Sequence, residues 1–159
     1  SIAMTILDFL GQTNAFSSGQ VDIVATEVSQ AALASAKAGL YDALTMSRGL
    51  SQMHRDRYFD QSGNQWSIKE AVRKMVRFQI HNLKDSYALV APIDIVFCRN
   101  VLIYFAEEFK KDILSRMAKA LSPGGYLFLG ASESLINYSS DFTMMNHGRA
   151  LYYQVKPSR

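Results

Sequence analysis

A single cysteine, Cys98, leaves no partner for an internal disulfide, and the histidines at positions 54, 81 and 147 lie too far apart to read as a metal set. A reducing, cytoplasmic setting is the default for such a chain. No apolar run approaches the roughly 18 residues that would span a bilayer, and Ser1–Leu10 has neither a basic n-region nor a cleavage site. No G-x-G-x-x-G follows a strand and no G-x-x-x-x-G-K-[ST] occurs, which disfavours nicotinamide dehydrogenases and P-loop nucleotidases. No histidine stands in motif context with a Ser or Cys nucleophile, so a triad hydrolase has little support. Charge of one sign is also scarce. A net +3 suits an acidic partner but falls short of a nucleic-acid-binding signature. What remains is 159 residues, 48% apolar and 19% charged, an ordinary globular composition with room for one domain.

Ile2, Ile6, Phe9 and Leu10 fall at helical spacing, so a helix begins at the first residues, without cap or lead-in, and the start reads as internal to a longer chain. Val21–Thr26 is a short buried strand that leads to Glu27. Ser29 caps the next helix, which Gly39 ends. Arg48-Gly49 separates two short helices, and Tyr58–Gln61 with Gln65–Ile68 forms a hairpin around Ser62-Gly63-Asn64. Met75–Ile80 and Ile93–Phe97 are strands. Phe105, Phe109, Ile113, Met117 and Leu121 recur every four residues on a helix braced by a Glu107–Lys111 pair and closed by Pro123-Gly124-Gly125. Tyr126–Gly130 is a further strand, and Phe142–Met145 with Ala150–Val155 closes the chain as a hairpin across Asn146-His147-Gly148.

Strands alternating with helices indicate an α/β fold with a mainly parallel sheet, whose ligands bind beyond the carboxyl ends of the strands. Four positions come directly after such strands. Glu27 either accepts hydrogen bonds from ribose hydroxyls or complements the dipole of the helix behind it. Asn82-Leu83 either meets an adenine edge and face or caps a turn. Cys98-Arg99-Asn100, with Tyr104 one turn on, places polar groups at the end of an apolar strand, where they must bind a ligand or one another. Ala131-Ser132-Glu133-Ser134 either lines the same crevice or caps the next stretch of chain.

As a set these residues become specific. DIVFCRNVLIYF (Asp94–Phe105), PGGYLFLGASESL (Pro123–Leu135) and ATEVSQAALASAKAGLY (Ala25–Tyr41) closely resemble the CheR family, the S-adenosylmethionine-dependent glutamate O-methyltransferases of bacterial chemotaxis. RYF at Arg57–Phe59 and NL at Asn82-Leu83 extend the resemblance along nearly the whole chain. It implies a class I, Rossmann-like methyltransferase sheet over residues 1–159, with a terminal antiparallel hairpin and a small antiparallel β-subdomain inserted at about residues 57–78.

The resemblance assigns S-adenosylmethionine as methyl donor, S-adenosylhomocysteine as product, and chemoreceptors as partners, with a receptor's carboxy-terminal peptide as one mode of docking. Trp66, Lys69, Arg73, Lys74 and Arg77 would supply the docking surface, or Trp66 merely pins the hairpin. Glu27 would take the ribose-binding position, where the family more often has Asp. Asn82 and Leu83 would sit at the adenosyl group, Arg99 and Asn100 near the methionine end, and Tyr104 beside the transferred methyl. Tyr104 and Arg99 are thus the candidates for orienting the reactants. Only the tail of the family's E-P-Y-S-I-A-M string is present, as Ser1–Met4, so the first strand and its Gly-rich loop are expected to be missing. A sheet without its middle strand exposes unpaired edges and would recruit another copy to fill the gap, or distort. An inactive docking fragment is the alternative reading. A methyltransferase acting on RNA or a small molecule would call for N-P-P-Y or a broad basic stripe, and neither occurs.

Overall fold

The computed structural model describes residues 1–13, 17–87 and 91–157. The chain divides into two compact units, Ser1–Asn82 and Leu83–Arg159.

The first unit opens with α1 (Ile2–Leu10), which buries Ala3 and Met4. β1 (Ile23–Glu27) is next, and α2 (Gln30–Ala38) starts where Ser29 accepts a hydrogen bond from the Ala32 N–H. Gly39 ends that helix at φ 63°, and a Cβ there would lie 2.7 Å from Ile68 Cγ2, so both backbone and packing require glycine. Then come β2 (Leu40–Asp42), α3 (Ala43–Met46), α4 (Gln52–Tyr58), β3 (Phe59–Ser62), β4 (Gln65–Ile68), α5 (Glu70–Arg73) and β5 (Val76–Ile80). β5 returns to pair in parallel with β1, setting Glu27 opposite Ile80. The small antiparallel sheet has the order β2-β4-β3. It differs from the span expected for it, 57–78, because it takes in Leu40–Asp42 and leaves Val76–Ile80 to the parallel pair. Tyr58 closes α4 rather than opening a strand.

α1 is clamped to α4 by one carboxylate. Asp8 accepts hydrogen bonds from Tyr58 Oη at 2.6 Å, His54 Nε2 at 2.7 Å and Arg57 Nη1 at 2.9 Å. Ser51 Oγ lies 3.1 Å from His54 Nδ1, completing a Ser–His–Asp chain, yet that oxygen also caps α4 by accepting the His54 N–H. Both oxygens of Asp8 are engaged, so the array reads as a structural clamp. The Tyr58 hydroxyl, then His54, holds the Asp8 carboxyl below its ordinary value.

The second unit runs β6 (Ile93–Cys98), a 3₁₀ turn (Leu102–Tyr104), α6 (Glu107–Ala120), β7 (Leu121–Leu129), β8 (Phe142–His147) and β9 (Ala150–Val155). Its sheet has the order β6-β7-β9-β8, parallel only between β6 and β7. One face buries Cys98, Leu127, Leu129, Tyr153 and Val155 with Ile113, Leu114 and Met117 of α6. The other carries a ladder of rings in which Phe128 stacks on both Phe97, at 4.8 Å, and Tyr152, at 5.4 Å.

Two local features differ from expectation. Lys111 pairs with Glu108, at 2.9 Å, rather than with Glu107, because the i,i+3 carboxylate is the one in reach. Pro123-Gly124-Gly125 does not close α6, which ends at Ala120. It forms a bulge inside β7, between the pairs Ile93–Leu121 and Ile95–Tyr126. Among the described residues β1 pairs only with β5, and β6 only with β7, so the parallel strands lie in two sheets.

Candidate functional site

In the first unit the parallel β1–β5 pair delivers Glu27 and Asn82 to the same end of two adjacent strands. Glu27 faces Ile80 in register, its carbonyl accepts the His81 N–H at 3.2 Å, and Asn82 comes one residue later. Glu27 Oε1 accepts the backbone N–H of Val28 at 2.8 Å and of Ser29 at 2.9 Å. These bonds, to the two residues just ahead of α2, occupy one carboxylate oxygen. Among the described residues Oε2 takes no part in these bonds, and a carboxylate oxygen can accept from a hydroxyl.

In the second unit Leu83 packs against the core, while Arg99, Asn100 and Tyr104 share the turn that leaves β6. Cys98, the last strand residue, is buried, and its thiol is pushed up to about 11 by burial and by the charge of Glu133. Asn100 adopts φ 59°, a left-handed conformation that Asn tolerates better than most side chains. Arg99 is exposed and Tyr104 is 79% exposed, as befits groups that reach outward from the turn.

The residue that holds this turn is Glu133, which belongs to the Ala131–Ser134 candidate segment but had no individual role expected of it. Its Oε2 accepts the N–H of Asn100 at 2.6 Å and of Gly130 at 2.8 Å, and its Oε1 those of Val101 at 3.1 Å and Ile103 at 3.3 Å. Burial opposes ionisation, but the backbone N–H groups, Gly130 and Asn100 foremost, outweigh it and hold the carboxyl below its ordinary value. The available signal was an acidic residue between apolar strands and Leu135, a place where a charge survives only when it is fully hydrogen-bonded.

The residues expected to dock a partner are engaged within the chain. Trp66 is half-buried against the first unit's core, with the Arg55 guanidinium 5.7 Å above its ring. Lys69 reaches the carbonyls of Asp56 and Arg57, Arg73 and Lys74 flank Glu70 at 3.8 and 3.9 Å, and Arg77 meets Asp22 at 2.7 Å. Exposed pairs of this kind contribute little to stability.

The sequence matches the family model described as "CheR methyltransferase, SAM binding domain" over residues 1–151. The chain belongs to the CheR methyltransferase family. It is 48% identical to "Chemotaxis protein methyltransferase 1" of Pseudomonas aeruginosa over 98% of this chain and 57% of that protein. Identity to "Chemotaxis protein methyltransferase" of Vibrio parahaemolyticus is 45%, with the same coverage. The chain thus spans 57% of the length of these CheR relatives. Among solved structures the O-methyltransferase NovP is similar at 16% identity and a TM-score of 0.34, over 86% of this chain and 60% of that one. The family assignment rests on the sequence matches. With it, the fold is that of a class I S-adenosylmethionine-dependent methyltransferase, and S-adenosylmethionine is the cofactor of this CheR domain.

Proposed function

We propose that this chain is the cofactor-binding and catalytic part of a cytoplasmic protein-glutamate O-methyltransferase that modifies bacterial chemoreceptors. The observation that supports this most directly is the near full-chain likeness to chemotaxis methyltransferases, with the polar groups it requires lying after β1, β5 and β6. Glu27 would hold the ribose hydroxyls through Oε2, Asn82 and Leu83 the adenine, and Arg99 and Asn100 the methionine end. When bound, S-adenosylmethionine supplies an electrophilic methyl group on a sulfonium.

The acceptor carboxylate, with an ordinary pKa of about 4.3, is already ionised at neutral pH, so the protein needs no general base. Its work is to desolvate and align that carboxylate. Tyr104, which stands outward at the end of the turn, would position the acceptor. Arg99 serves the cofactor rather than the attacking oxygen, since a tight ion pair in the ground state is not recovered as charge disappears in the transition state. The antiparallel sheet of the first unit, with Trp66, Lys69, Arg73, Lys74 and Arg77, supplies the receptor-docking surface, and an extended receptor peptide would add along a sheet edge.

The test is transfer of labelled methyl from S-adenosylmethionine to a chemoreceptor cytoplasmic fragment, run with this chain and with a version at the full length of its relatives. A methyl ester on glutamate releases its label as volatile methanol in alkali. Absence of transfer by the longer protein, or an alkali-stable label, refutes the proposal. Transfer by the longer protein alone assigns this chain the role of a fragment that cannot turn over by itself.

A further inference from the structure

We propose that Glu133 is a positioning residue for methyl transfer: its carboxylate sets the backbone of the Arg99–Tyr104 turn without touching donor or acceptor. The inference rests on the reading of that turn as the segment facing cofactor and acceptor. Four backbone N–H groups from two segments some thirty residues apart converge on this one side chain, which is 8% exposed. A carboxylate is the only side chain that offers two oxygens with no donor, so it alone can accept from all four at once. Glutamine in its place would turn an N–H group toward two of those N–H donors, leaving them buried and unsatisfied.

Gly130 closes the same arrangement. A Cβ there would run into the Asn100 side-chain amide and would come within 2.8 Å of Glu133 Oε2. The backbone N–H of Asn100 is thus fixed by Glu133 while its side chain lies against Gly130. Arg99 and Tyr104, on either side of it, inherit that direction. The 3₁₀ turn itself begins on N–H groups that Glu133 satisfies, at Val101 and Ile103.

The experiment uses the protein at the full length of its relatives. Glu133→Gln is compared with wild type for S-adenosylhomocysteine affinity by calorimetry, for methyl transfer to a receptor fragment, and for amide hydrogen exchange at Asn100, Val101, Ile103 and Gly130. Affinity is expected to fall about tenfold or more, because the turn would then hold its binding conformation only a fraction of the time and apparent affinity scales with that fraction. Exchange at those four amides rises, while that of the Leu127 and Tyr153 amides is unchanged. A variant that melts earlier but binds and turns over like wild type overturns the proposal, because Glu133 would then be structural only. Asn100→Ala separates the two readings. If it weakens binding and Glu133→Gln does not, the Glu133 proposal alone fails. If neither does, the turn is not at the cofactor and the underlying reading fails. Should Glu133→Gln not fold, wild type still decides: the four amides must be protected before S-adenosylhomocysteine is added. Protection that appears only on binding means the cofactor, not Glu133, shapes the turn.

Discussion

Asn100 is where stability and binding can be pulled apart by two substitutions at one position. Its φ of 59° lies in the left-handed region, where a Cβ is unfavourable and glycine is not. Asn100→Gly removes the side-chain amide and keeps the backbone at ease. Asn100→Ala removes the same amide and adds the left-handed penalty. That penalty is roughly 1–2 kcal/mol, offset in part because glycine also gains more freedom in the unfolded chain, so Ala should be less stable than Gly by about 1 kcal/mol. In a domain of this size the difference amounts to about 2–4 °C in the melting midpoint. Cofactor affinity, measured by calorimetry with S-adenosylhomocysteine in the full-length protein, should fall in both variants by a similar factor, since both lack the amide. Equal melting of the two would show that the turn does not need its left-handed residue, and unchanged affinity in Asn100→Gly would remove the amide from the cofactor site.

Four further outcomes are expected. Glu27→Ala should weaken S-adenosylhomocysteine by roughly 1–3 kcal/mol, the scale of hydrogen bonds to a charged group, and unchanged affinity would leave Glu27 as a helix-end residue alone. Tyr104→Phe should lower turnover more than cofactor affinity, whereas equal loss in both would contradict its positioning role. Leu127→Ala, at a fully buried position beneath α6, should cost about 2–5 kcal/mol in denaturant unfolding, and a cost below about 1 kcal/mol would mean that this core does not carry the unit. Stability should be flat from neutral pH down to about 5 and decline below it. The carboxyls of Asp8 (by Tyr58), Asp42 (by Thr45) and Glu133 (by backbone N–H groups, against burial) lie below their ordinary 3.8, 3.8 and 4.5, so their stabilisation is complete above those values and lost as pH falls through the folded ones. A melting midpoint that rose on acidification would contradict that sign.

Features set by neighbours in sequence were the legible ones. Ser29 and Gly39 bound α2 because capping and the left-handed C-terminus act within a turn of the chain. The fourfold spacing found the body of α6, Phe109 to Met117, but overran both its ends, since Phe105 precedes Glu107 and Leu121 opens β7; Ile93–Phe97 reads as a strand because of its apolar run. Features set across the chain stayed hidden. β2 has three residues, of which Leu40 and Asp42 are exposed, so its pairing with β4 leaves no pattern to read. The choice of Glu108 over Glu107 by Lys111 depends on side-chain direction that spacing does not specify. Of the candidate site, Glu27 and Asn82 could be placed at strand ends, and Arg99, Asn100 and Tyr104 on one turn. The role of Glu133 could not, because all but one of its four partners lie some thirty residues away and every one of them is backbone.

The bulge at Pro123-Gly124-Gly125 has a consequence for the frame of β7. Two steps along β6, from Ile93 to Ile95, correspond to five along β7, from Leu121 to Tyr126. Three residues of β7 are thus in excess over β6, yet Leu121, Gly125, Leu127 and Leu129 are all buried, so the in-and-out alternation of β7 runs through the bulge unbroken. Removing one glycine while keeping that alternation from Leu121 would slide the pairing with β6 by one, turn Tyr126 and Phe128 in toward α6 and send Leu127 and Leu129 out among the rings. The inside and outside of this sheet are thus decided by a count of residues in a segment that contributes little packing of its own.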